Sequence, residues 1–283
     1  MVKIFSIFLL LCSFVFANEL EQNILAEETT LIKKIKTFVS DSSYEKNKDF
    51  IKLIFSPESN YYRQDRVDVV KVVQTLKENG LLNLFFNKPQ ELKLNFKTSG
   101  SPLFFVKIMG DTLRNIGYYR YVTLESNLDA SQFTWTIVLN AEYATDPLIL
   151  QQELKKSGCN IIDISRNTSN NWDYSIDMSG GYLNIVSIES PDEYELKRSL
   201  YAHWLNVQSI EKLTIKSSIR DRWYPQIAYY NKQLHLLKVI KRDKKTKTLS
   251  LTIPKCAKYI KISDMYTLKN VRDNLILQPS GSR

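Results

Sequence analysis

Histidine is nearly missing from this chain: only His203 and His235 occur in 283 residues. Each sits in a strand-like run among apolar neighbours, with no HExxH, CxxC or histidine–carboxylate spacing around it, so zinc chemistry at the usual nitrogen and sulfur ligands lacks material. Glycine is almost as scarce, 8 residues where ordinary usage would give about 20. That scarcity, with no GxGxxG or GxxxxGKS, argues against glycine-rich loops that cradle phosphates. GxSxG is absent too, and neither Cys159 nor Cys256 has a histidine near it in sequence. Asp and Glu are plentiful, but the two acids of a carboxylate-pair hydrolase come from distant segments, so spacing names no pair. The expectation is a protein without catalytic residues, cofactor or metal.

Long apolar runs are missing as well. The longest opens the chain: after the short basic stretch Met1-Val2-Lys3, residues 4–16 form an apolar run of 13 residues, too short to span a bilayer comfortably. Val15-Phe16-Ala17 then places small or modest side chains at −3 and −1 of a cleavage point. The segment reads as a secretory signal peptide (1–17) cleaved after Ala17, with retention as an uncleaved anchor the alternative. Cys12 follows Leu9-Leu10-Leu11 rather than a small residue, so a lipoprotein signal fits poorly. The expected location is the periplasm or the exterior, with no transmembrane segment in the mature chain. The net charge of +9 loses one unit with Lys3. It suits anionic lipid or acidic glycan, and export argues against nucleic acid; a lysine-rich codon bias is the plainer explanation. Cys159 and Cys256 remain after cleavage. A bridge between them would contribute on the order of 4 kcal/mol by closing a loop of about a hundred residues; two separately buried thiols are the alternative.

Residues 18–88 read as a helical region packed on the next domain. Leu20, Ile24, Leu31, Ile35 and Phe38 suit one amphipathic helix, with Glu19, Glu21, Glu27 and Glu28 early and Lys33, Lys34 and Lys36 late, as the helix dipole favours. Ser42-Ser43-Tyr44-Glu45 offers a capping box for a second helix carrying Phe50, Ile51, Ile54 and Phe55, ended by Ser56-Pro57. Asp65 is placed to cap a third, with Val69, Val72, Val73 and Leu76 as its stripe.

Residues 89–178 alternate strands and helices. Leu92, Leu94 and Phe96 alternate with polar residues, Ser101-Pro102 starts a helix that Gly117 stops, and residues 119–124 make the next strand. Phe133, Trp135, Ile137 and Leu139 mark another strand, Asp146-Pro147 starts a second helix, and further strands lie at 160–164 and 172–178. The order β-α-β-β-α-β, with room for an extra edge strand, is similar to the ferredoxin-like motif.

Ser179-Gly180-Gly181 marks a boundary, and residues 182–283 hold short runs of strand character that predict an antiparallel β-sandwich. The fold class is therefore α+β. Trp223-Tyr224-Pro225-Gln226-Ile227-Ala228-Tyr229-Tyr230, then Leu251-Thr252-Ile253-Pro254 and residues 257–264, resemble the closing strands of a galactose-binding-like jelly roll. The lysine-, asparagine- and isoleucine-rich chain also resembles secreted proteins of Campylobacter-type bacteria. The first resemblance implies sugar recognition or a protein-interaction module. Asp221, Arg222, Trp223 and Tyr224 offer the flat ring and polar rim that grip a sugar; a Trp-Tyr pair capping the core is the other reading. Lys241, Arg242, Lys244, Lys245 and Lys247 crowd one hairpin turn, where they would either touch an anionic surface or keep the turn in water. The resulting expectation is a non-enzymatic envelope protein that binds protein partners within a flagellar or secretion assembly, with glycan binding as the alternative.

Overall fold

A computed structural model describes residues 29–283; the expected signal segment, Cys12 and the part of the expected first helix before Thr29 lie outside the described residues. Helix α1 (Thr30–Lys36) is capped by the Thr29 hydroxyl. The expected second helix is two, α2 (Asp41–Lys46) and α3 (Lys48–Ile54), broken at Asn47. Ser40, not Ser42, caps α2 through the Ser43 amide. A 3-10 turn (Glu58–Tyr61) and the two-residue strands β1 (Tyr62–Arg63) and β2 (Arg66–Val67) come next. They move the next cap from Asp65 to Asp68, which opens α4 (Val69–Glu78). Its stripe Val69, Val72, Val73 and Leu76 is buried.

The central sheet comprises β3 (Phe85–Thr98), β4 (Val122–Leu128), β5 (Phe133–Tyr143), β6 (Asn160–Thr168) and β7 (Asn171–Asp177), in the order β4-β5-β3-β7-β6. Helix α5 (Pro102–Asn115) links β3 to β4, and α6 (Pro147–Lys155), capped by the Asp146 carboxylate, links β5 to β6. The extra strand is internal rather than at the edge: β7 pairs parallel with β3 and antiparallel with β6, which takes the edge. Its side chains explain the position, since Trp172 and Tyr174 are fully buried and stack beside Phe38 and Phe96. Helices α1 and α4 cover the β6 edge. There Lys34 Nζ reaches Asp163 at 2.7 Å and the Ile164 carbonyl, and Arg166 donates to the Phe38 carbonyl.

Eight strands complete the chain: β8 (Tyr194–Leu196), β9 (His203–Asn206), β10 (Lys212–Ser217), β11 (Pro225–Tyr230), β12 (Leu236–Lys241), β13 (Thr248–Thr252), β14 (Tyr259–Asp264) and β15 (Leu275–Ser280). They form two antiparallel four-stranded sheets, β13-β10-β15-β8 and β12-β11-β14-β9. Both sheets contribute to one core, with Leu213, Ile215 and Leu277 from the first and Ile227, Tyr229, Ile260 and Ile262 from the second. The chain is thus a mixture of helices and largely antiparallel sheets, as the α+β expectation holds.

Between the two cores the backbone is pinned at Gly158, whose φ of +68° and closeness to Gly180 leave no room for a Cβ. Three side chains from beyond the boundary, Leu183, Leu234 and Tyr259, are buried in the core of the first half.

Candidate functional site

The stretch expected to hold a ligand is instead a staple. Asp221 is fully buried; its Oδ1 accepts the amides of Arg272 (2.7 Å) and Asp273 (3.0 Å), and its Oδ2 accepts that of Ser218 (2.9 Å). Trp223 is 0% exposed, with its indole donating to the Ser263 carbonyl at 3.0 Å. Tyr224 is half-buried, its amide donating to Asp264 Oδ2 at 2.8 Å and its ring edge-on to Tyr266. Only Arg222 is exposed. The Trp223 ring has no free face to stack on a sugar, and the buried Asp221 carboxylate is taken up by three backbone amides.

The basic turn divides in two. Lys241, Arg242, Lys244 and Lys245 are exposed, whereas Lys247 is half-buried and its ammonium donates to the carbonyls of Ser218 and Asp221. Lys247 therefore ties the turn to the Asp221 staple. The cysteines do not bridge: Cys159 is buried, Cys256 is exposed, and both are free. Burial, with the charge of Asp177 adding, pushes the Cys159 thiol up to about 11. The two histidines stay apart, His203 in β9 and His235 in the hairpin before β12, where its ring meets the Asn231 amide. Burial holds His203 below the usual imidazole range. Among the described residues no group of three or more His, Cys, Asp or Glu is placed to hold a metal, and no helix is long and apolar enough to cross a membrane.

A polar cluster sits where the two halves meet. Lys107, Asp111 and Arg114 lie on one face of α5 by their spacing, Asp111 pairing with both cations. Trp204 of β9 receives Lys107 at 5.4 Å and Lys261 of β14 at 5.7 Å from its ring centre, and Arg114 lies over Tyr201 at 5.3 Å. Burial is the main force lowering the Lys107 pKa, with Arg114 and Lys261 acting in the same sense and Asp111 against. These contacts join the halves.

A surface open to a partner is the other edge of the central sheet. Every residue of β4 is exposed, including Val122 (63%), Leu124 (57%) and Leu128 (64%). The strand has no Lys and no Pro, the residues that commonly guard an edge. Its protective features are a bulge at Leu124 and the charge of Glu125. β4 stops opposite Val138, so residues 139–143 of β5 have no strand partner on that side. An open groove of about 420 Å³ runs along them, walled by Tyr118, Tyr119 and Arg120. Tyr119, Tyr143 and Phe85 stand exposed around it. Burial raises the Tyr118 pKa, and its hydroxyl accepts from Thr145 at 3.0 Å. This edge escapes a sequence reading because alternation shows that a strand exists, not which strand ends a sheet. One signal was present: between Arg120 and Lys155 there is no Lys or Arg, while Glu125, Asp129, Glu142, Asp146 and Glu153 all fall there. In a basic chain that interval is a neutral-to-acidic island. No family model matches the chain, and no curated protein matches it.

Proposed function

We propose that this chain is a non-enzymatic binding or scaffold component of the cell envelope, exported after cleavage following Ala17 and holding protein partners in a periplasmic assembly such as a flagellar or secretion apparatus. The observation that carries the binding role is the open β4–β5 edge: a seven-residue strand exposed along its whole length, continued by a groove with exposed aromatic rings. Such an edge presents unpaired amides and carbonyls to which an extended segment can add, and side-chain pockets beside it supply selectivity. The envelope setting rests on the signal-like opening and on the resemblance to Campylobacter-type secreted proteins. We read the central unit as ferredoxin-like, supported by β5 lying between β3 and β4 as in a split βαβ unit. We read the C-terminal pair of sheets as a galactose-binding-like sandwich, supported by their common core. The glycan alternative loses Trp223, where burial removes the ring face it needs.

The test is photo-cross-linking in intact cells from Tyr119 at the groove, with Ile219, exposed elsewhere, as the control position. The expected result is a defined set of envelope proteins attached through position 119 and not through 219. Equal or empty recovery from the two positions would overturn the reading.

A further inference from the structure

We propose that β4 also binds a second copy of this chain, pairing antiparallel with its counterpart about a two-fold axis between Leu124 and Glu125. This deepens the edge-binding reading above and rests on it. Closed two-fold contacts are the commonest form of self-association, and this edge fits one for three reasons.

The first is that β4 is free and longer, or less guarded by lysine, than the other edges. On the same sheet β6 is covered by α1 and α4. Among the edges of the C-terminal sheets, β8, β9 and β13 are shorter than β4, and β12 carries Lys238 and Lys241. The second is charge. A chain with net charge +9 repels its copy over most of its surface, but β4 lies in the stretch without Lys or Arg.

The third is register. Because Leu124 is the extra residue of a bulge, Thr123 and Ser126 share one face, opposite Ile137 and Trp135, while Val122, Glu125 and Asn127 share the other. Residues paired across two strands must point to the same face. An axis between Leu124 and Glu125 meets this condition, setting Thr123 opposite Ser126, Val122 opposite Asn127 and Tyr121 opposite Leu128. It also sets Arg120 of each copy opposite Asp129 of the other. Neither has an ion-pair partner in its own chain among the described residues. Moving the axis by one residue loses the charges: one shift places Arg120 opposite Asn127, and the other places it opposite Ser131 and also sets Glu125 against Ser126 on the opposite face. The bulge, which makes β4 a poor partner for a regular strand, falls on the axis and is matched only by itself.

The same register brings the two Glu125 side chains near each other beside the axis, a like-charge pair that weakens the contact. This yields a test in both directions. Sedimentation equilibrium of the full chain should show a monomer–dimer equilibrium. Arg120→Asp and Asp129→Arg should each raise the dimer dissociation constant about tenfold, the double variant should return it to within about threefold of the original, and Glu125→Gln should lower it. All three positions are exposed, so circular dichroism should be unchanged. A monomer at every concentration, a dimer insensitive to both single variants, or a double variant no better than the singles would each overturn self-pairing. A monomer that still cross-links envelope proteins from Tyr119 would leave the scaffold reading standing; loss of both would remove the edge as a binding surface.

Discussion

Asp221 shows how a residue chosen for its chemistry can be occupied by its neighbours. A buried carboxylate needs its lone pairs satisfied, and here three backbone amides from two loops do so. Asp264 performs the same service nearby, accepting amides from Tyr224, Tyr266 and Thr267 and the Asn270 side chain. Between them the two acids hold the β10–β11 loop, the 3-10 turn Leu268–Asn270 and the approach to β15. Asp221→Asn keeps the shape but turns an NH2 toward an amide donor on one side or the other. The expected cost is about 2–3 kcal/mol, within the range for losing hydrogen bonds to a buried charged group. It should be read as a lower urea midpoint with an unchanged slope, while exposed Arg222→Ala leaves the midpoint in place. Equal midpoints for the two variants would show that the loops hold themselves without the carboxylate.

At the scale of elements, the sequence announces helices better than edges. Ser101-Pro102 and Asp146-Pro147 mark the starts of α5 and α6 because a proline at the first helical position leaves few conformations open. Asp65 and Ser42 misled because a cap is chosen by where the chain enters the helix, and the β1–β2 hairpin and the break at Asn47 reset those entries. The strand expected at 119–124 lies at Val122–Leu128 because β4 buries neither face, so its side chains carry no alternation to set its limits. Likewise, Trp223 and Tyr224 looked like a binding pair because composition cannot tell a ring that caps a core from one that meets a ligand. The cluster on α5 was also beyond reach, since its aromatic partners Tyr201 and Trp204 come from the other half of the chain. It carries its own prediction. Asp111 is the one carboxylate paired with both Lys107 and Arg114, so Asp111→Ala leaves two partly buried cations facing each other. The expected loss is roughly 1–2 kcal/mol, below the roughly 3–5 of a fully buried pair because both cations keep some contact with water. Adding Lys107→Met to Asp111→Ala should recover most of it in thermal unfolding. A double variant less stable than the single one would show that Lys107 contributes through its stacking on Trp204 rather than its charge.

The whole molecule depends on how its two cores communicate, and Leu234 is the clearest link between them. It belongs by sequence to the hairpin joining β11 to β12, yet it is 1% exposed and packs in the core of the first half with Tyr259 and Leu183. The turn is built to present it: Asn231 accepts the amides of Gln233 and His235, and the Leu234 amide donates back to the Asn231 carbonyl. Leu234 itself sits at a φ of +59°, a conformation that a leucine adopts only where surrounding structure compels it. Burial of this side chain therefore outweighs a local backbone cost. Leu234→Gly separates the two terms, because it removes the side chain and relieves the backbone together, whereas Leu234→Ala removes packing alone. Leu234→Ala should cost about 2–4 kcal/mol, and Leu234→Gly somewhat less because the glycine accepts the positive φ. If the contact couples the two halves, calorimetry of the unaltered chain should show a single transition. Leu234→Asp, which places a charge in the shared core, should split it into two, with the transition of the first half moved to lower temperature. Two transitions already present in the unaltered chain, or one transition unmoved by Leu234→Asp, would mean that the halves are joined by the Ser179–Gly181 linker and the α5 cluster, and that Leu234 fills a gap without transmitting stability.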